Sequence, residues 1–174
     1  MPLSLKVPVS RIASMLGQAR CDALLVDRHG ARLLGHEILS ITPKIIAADD
    51  ETRALLSPIC GAVPILSEVD APQVAPAFVT PAQTAYVMFT SGTTGVPKGV
   101  SISVEARHAL TRALGERYDI GPGDRVAETS DLSWDVSVAN MIFGFQNGAS
   151  LYTLAAEAIP PGTCYPLQQL LADD

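Results

Sequence analysis

The sequence predicts an α/β fold, a largely parallel sheet flanked by helices. Three observations carry this prediction. Short apolar runs alternate along the chain with stretches of helical periodicity, the pattern that crossover connections turn into parallel strand pairs. Hydrophobic residues make up 48% of the 174 residues and charged residues 17%, enough apolar mass for a chain of this length to bury a core. Gly and Pro fall mainly between the runs, where turns are needed, and no internal repeat is present.

Val9, Ile12, Ala13, Leu16 and Ala19 recur at helical spacing behind Ser10, a good N-cap, and predict a helix near 10–20 that Gly17 only weakens. DALLVD at 22–27, closed by a turn at His29-Gly30, reads as a buried strand. KIIAA at 44–48 and AVPILSE at 62–68 have the same character, with DDETRALLS as a helical piece between them. Pro72, Pro76 and Pro81 then punctuate a stretch without periodicity. These features divide the chain into a first α/β portion (1–70), a Pro-rich linker (71–84) and a second α/β portion (85–174).

AYVMFT at 85–90 opens the second portion as a strand, and a glycine-rich loop follows before GVSIS, a further strand. Ala106, Leu110, Ala113, Leu114 and Tyr118 line one face of a helix that Gly121-Pro122-Gly123 stops. DRVAETS reads as a strand. A helix over 135–147 then places Val138, Met141, Ile142 and Phe145 on one face, and SLYTL at 150–154 forms the last strand.

Twelve Lys+Arg against eighteen Asp+Glu give a net charge of −6, which excludes the broad basic surface that nucleic acid or anionic lipid requires. No apolar run approaches the ~18 residues of a membrane span, and the N-terminus has no signal-like character, so a cytoplasmic protein is expected. Cys21, Cys60 and Cys164 are odd in number and far apart, which suits reduced thiols in small core positions. No metal site is predicted. His29 is expected in a turn, with His36 and His108 solvated.

The loop TSGTTGVPKGV is the most informative segment. Thr90, Ser91, Thr93 and Thr94 offer four hydroxyls, and Gly92 and Gly95 allow backbone amides to approach an anion closely. Amide nests and hydroxyls hold phosphates without a large net charge. Lys98, one of three lysines in the chain, adds a fixed positive charge between Pro97 and Gly99. The ordinary P-loop is disfavoured, because the position that requires its second glycine is Pro97. On spacing alone a plain Ser/Thr/Gly turn between two strands remains open.

All eleven positions of the loop resemble the phosphate-binding signature TSG(S/T)TGxPKGV of the adenylate-forming superfamily, which includes the adenylation domains of nonribosomal peptide synthetases. MPLSLKVPVSRIASMLGQARCDALLVD is similar to the PLDPxxPxxRI segment and LL(V/T)D strand of amino-acid adenylation domains, and AYVMFT to their AYVxYT. DRVAETSDLSWDVSVANMIFGFQNGASLYTL resembles DRxxxxxSxxFDxSVxxxFxxLxxGAxL. Where family members often carry a histidine, four residues after the PKGV valine, this chain has Val104. The resemblance implies part of the N-terminal body of an adenylate-forming enzyme. It implies an ATP site at Thr90, Ser91, Gly92, Thr93, Thr94, Gly95 and Lys98, with Lys98 catalytic in neutralising phosphate charge.

The same resemblance places Asp135 where amino-acid-activating members pair with the substrate's α-ammonium, and Val136 and Ala139 at positions lining the side-chain pocket. A carboxylate there favours an ammonium and penalises acids that bring none. On local grounds Asp135 is equally an N-cap of the helix it begins, and Trp134 and Phe143 are core aromatics. The activity implied is attack of an amino acid's carboxylate on the α-phosphate of Mg-ATP, with transfer of the aminoacyl group to a carrier-protein phosphopantetheine thiol. Implied partners are ATP, an amino acid, and a carrier protein or the remainder of a synthetase.

Family members run to several hundred residues, and the later adenine, ribose and lysine motifs have no match here, so a partial body with little turnover by itself is expected. Self-association through uncovered edges is expected with it. A fragment of an acyl- or aryl-CoA ligase and a non-catalytic scaffold remain the alternatives.

Overall fold

The computed structural model describes residues 1–66, 77–90 and 95–153. The fold is mixed α/β, with parallel strands flanked by helices, and divides into two compact units. One comprises Leu3–Phe78 with Phe89–Val100; the other comprises Met1–Pro2, Val79–Met88 and the chain from Ser101 onward.

In the unit that begins at Leu3, helix α1 (Val9–Ala19) buries Ile12, Ala13, Met15 and Leu16. The expected Ser10 cap is not used. Pro8 is the N-cap, and its carbonyl accepts from Arg11 and Ile12 at 3.0 Å. Proline's fixed φ and missing N–H suit the entry to a helix, so the chain turns helical directly after it. Strands β1 (Leu24–Val26), β2 (Ile45–Ala47) and β3 (Ile65–Leu66) form a parallel sheet in the order β1-β2-β3.

The expectation of buried strands holds for β2 and for Val26 of β1, which is also buried. In β2, Ile45 and Ala47 are fully enclosed, whereas Leu25 on the edge strand β1 is 68% exposed. Two one-turn helices, α2 (Arg28–Ala31) and α3 (His36–Leu39), follow β1 where the sequence predicted a turn. The Asp27 carboxylate accepts from Gly30 N at 2.7 Å and closes the first of them. Helix α4 (Asp50–Leu56) lies between β2 and β3 in sequence and packs on β2 and α2. Its Asp49 cap accepts from Thr52 N at 2.6 Å, and that bond holds the Asp49 carboxyl below the usual range. Ile38, Leu56 and Cys60 complete the core, and burial pushes the Cys60 thiol up.

Strands β4 (Thr84–Thr90) and β5 (Lys98–Ser103) pair as a two-stranded sheet. The Thr84 and Ser101 hydroxyls meet at 2.7 Å, while Thr90 faces Lys98, so the two strands run antiparallel.

In the other unit, β5 leads into helix α5 (Val104–Arg117), whose Ser103 cap accepts from Ala106 N at 3.1 Å. Strand β6 (Arg125–Glu128), helix α6 (Asp135–Gln146) and strand β7 (Ser150–Thr153) then form a β-α-β crossover. Arg125 to Glu128 lie parallel beside Ser150 to Thr153. The last residue of the expected SLYTL strand, Leu154, lies outside the described residues. Helix α6 packs on β6, β7 and α5. Gly144 faces β6, and a Cβ there would stand 3.4 Å from Val126 Cγ2, in contact with it and with no room for a larger side chain on that line.

Two helical faces differ from expectation. In α5 the buried residue is Thr111, with Leu110 exposed. Thr111 accepts this place because its hydroxyl bonds the Arg107 and His108 carbonyls at 3.3 and 3.1 Å. In α6 Phe145 is exposed and Phe143 is buried, in edge contact with Tyr118.

Candidate functional site

The phosphate-type loop joins β4 to β5. Ser91, Gly92, Thr93 and Thr94 lie outside the described residues, and the two flanks of the loop carry its geometry. Thr90, exposed at the end of β4, turns its hydroxyl toward the Lys98 carbonyl at 3.5 Å, near the limit of a hydrogen bond. Gly95 has φ +79°, in the left-handed region that favours glycine. Pro97 is buried and Lys98 exposed, so the ring anchors the strand start while the ammonium stays in water. Gly99 lies against Phe89: a Cβ would stand 3.1 Å from the ring, which would have to give by a few tenths of an ångström.

The second set of predicted residues occupies the start of α6. Asp135 is the first helical residue. The N-cap is Trp134, which supplies no side-chain bond, so Asp135 does not cap its helix. A carboxylate in a first turn is favoured by the helix dipole. Asp135 and Val136 are exposed and Ala139 half-buried, one turn on. Trp134, a candidate core aromatic, is 65% exposed, whereas Phe143 does lie in the core. Half-buried Tyr86 of β4 feels the Asp135 charge: burial and then that charge push its phenol up.

The segment between β6 and α6 carries a hydrogen-bond network that sequence reasoning missed. Buried Glu128 accepts from Ser130 N at 2.7 Å. Asp131 accepts from the Ser133 amide at 3.0 Å and its hydroxyl at 2.8 Å, and its carbonyl accepts from Trp134 N at 2.9 Å. Fully buried Ser137 turns its hydroxyl back to the Trp134 carbonyl at 2.7 Å and the Leu132 carbonyl at 3.1 Å. Isolated serines and acids in a polar string gave no signal of this bracing.

Elsewhere, His29, His36 and His108 are exposed as expected, although His29 sits in α2 and not in a free turn. Cys60 is buried and Cys21 half-buried; Cys164 lies outside the described residues. Among the described residues no group of three His, Cys, Asp or Glu side chains gathers to hold a metal, and no helix is long and apolar enough to cross a membrane.

Comparison with known proteins places these features in a family. Residues 1–165 match the family model described as AMP-binding enzyme. Phosphinothricin tripeptide synthetase PhsC of Streptomyces viridochromogenes is 32% identical over 164 residues, covering 93% of this chain and 14% of its own length. A linear gramicidin synthase of Brevibacillus parabrevis is 34% identical over 161 residues, covering 92% of this chain and 3% of its own. The chain thus spans a small part of these relatives. Among solved structures, the adenylation domain AlmE of Vibrio cholerae, in complex with glycyl-adenosine-5'-phosphate, superposes with TM-score 0.76 at 25% identity, over 90% of this chain and 31% of that one. A phosphate-type loop and the segment around Asp135 both fall within the matched 165 residues, and the chain belongs to the AMP-binding enzyme family.

Proposed function

We propose that this chain supplies the ATP- and amino-acid-binding portion of an adenylation domain. The activity is formation of an aminoacyl adenylate, followed by transfer to a carrier-protein phosphopantetheine thiol. The observation that carries the proposal is the likeness to AlmE, a domain solved with an aminoacyl adenylate, across nine-tenths of this chain. The peptide-synthetase relatives support the same substrate class.

In the reaction the amino acid's carboxylate oxygen bonds to the α-phosphorus of ATP as the bond to the β-phosphate bridging oxygen breaks, and pyrophosphate leaves with the electron pair. Magnesium carried by the nucleotide would supply further neutralisation of the phosphate charge. Thr90, Ser91, Gly92, Thr93, Thr94 and Gly95 form the hydroxyl and amide cradle, and Lys98 meets the phosphates with its ammonium. The exposed Lys98 and the left-handed Gly95 fit that role. Asp135 pairs with the α-ammonium, and Val136 and Ala139 face the substrate side chain. Asp135 is exposed on the first residue of α6 and is not its N-cap, which supports this reading. Catalysis of this kind is positioning plus charge neutralisation.

The test is ATP–pyrophosphate exchange by the full gene product with two panels, amino acids and fatty or aryl acids. Exchange with amino acids alone is expected. Exchange only with acids lacking an α-amine would identify an acyl- or aryl-CoA ligase, and no exchange with either panel would favour the scaffold alternative.

A further inference from the structure

The carboxylate that the proposed function assigns to the substrate ammonium sits on the first residue of α6, and its position depends on how residues 129–134 approach that helix. Three sets of bonds fix the approach. Glu128, at the end of β6 and 5% exposed, accepts Ser130 N at 2.7 Å and so sets the first bend after the strand. Asp131 closes the next turn onto Ser133. Ser137, with no exposed surface, ties the Trp134 and Leu132 carbonyls to the first turn of α6. The Asn140 amide adds a long contact to the Ala127 carbonyl at 3.5 Å.

Glu128 and Ser137 are polar and almost wholly enclosed, an arrangement that costs stability unless every bond is made. Glu128 is not fully satisfied: its Oε2 is buried without a partner among the described residues. A glutamine would serve the observed bond equally well, through its amide oxygen. The hydroxyl of Ser137 meanwhile acts on both sides of Asp135. It holds the carbonyl of the preceding residue and the helical turn that follows.

We propose that Ser137, supported by Glu128, is the positioning residue for Asp135 and so determines affinity for the amino acid's α-ammonium, a claim that rests on the function proposed above. Neither side chain touches the substrate. Both act by holding the 129–134 segment in the one geometry that presents the Asp135 carboxylate.

The experiment is steady-state pyrophosphate exchange by the full gene product, with thermal melts on every variant. Ser137→Ala and Glu128→Met are expected to raise KM for the amino acid roughly ten- to a hundredfold, the range for a displaced positioning group, with KM for ATP within about twofold of wild type. Glu128→Gln and Ser137→Thr restore the amino-acid KM to near the wild-type value. Unchanged amino-acid KM in folded Ser137→Ala and Glu128→Met overturns the proposal. So does a parallel rise in both KM values accompanied by a lowered melting temperature, which marks a general structural role. Should Ser137→Ala fail to fold, the contrast between Gln and Met at position 128 decides. Asp135→Ala separates the two levels: if it leaves amino-acid KM unchanged, the underlying ammonium assignment fails, whereas a raised KM there with no effect at 137 and 128 refutes the positioning role alone.

Discussion

Asp135 and Tyr86 share a local field, and each gives a handle on the other. Burial is the larger cause of the raised Tyr86 phenol and the Asp135 charge the smaller. Asp135→Asn should therefore lower the Tyr86 titration part of the way toward its ordinary value, with burial keeping it above. Spectrophotometric titration, with Tyr86→Phe to identify the signal, checks this; no change would mean that the two side chains do not interact. Lys98 is exposed and follows a hydroxyl-rich stretch in the sequence, so Lys98→Ala should weaken ATP use by about 1.5–3 kcal/mol, the range for a charged hydrogen bond. Unaltered ATP kinetics would count against the cradle. The loop string and the acidic start of α6 were legible because their residue types are unusual at that spacing. Ser137 and Glu128 were not, since a buried serine in a helix looks the same in sequence as an exposed one.

The strands and long helices were legible from periodicity, and what escaped was set by neighbours. Helices α2 and α3 are one turn each, too short for a periodic signal. In α5, which packs on α6, the buried residue is Thr111 and not the apolar stripe that the sequence displays. Two predictions belong to this scale. Gly144→Leu should destabilise by roughly 1–3 kcal/mol through overpacking against Val126, measured by denaturant unfolding. Asp49 accepts the Thr52 amide, and its lowered titration makes the α4 cap pH-dependent. A carboxyl depressed in the fold contributes stability above its unfolded value of about 3.9, and that stability is lost as pH falls through the lower folded value. Asp49→Ala should lower the melting temperature at neutral pH and flatten its decline on acidification. Identical pH profiles for variant and wild type would exclude this role.

At the scale of the whole chain, Leu25, Phe78, Trp134, Phe145 and Tyr152 are all more than half exposed, and β1 is an edge strand of its sheet among the described residues. Apolar side chains and open edges invite association. The isolated chain should show concentration-dependent association in sedimentation velocity; a monodisperse monomer with a sharp unfolding transition would refute this. The central claim is that one carboxylate makes this chain choose amino acids. It is tested most directly by the ratio of kcat/KM for an activated amino acid to that for its des-amino analogue, measured in the full gene product with Asp135 and with Asp135→Ala. A large ratio that collapses toward one in the variant, with KM for ATP unchanged, is the predicted result. A ratio unmoved by Asp135→Ala would contradict the account.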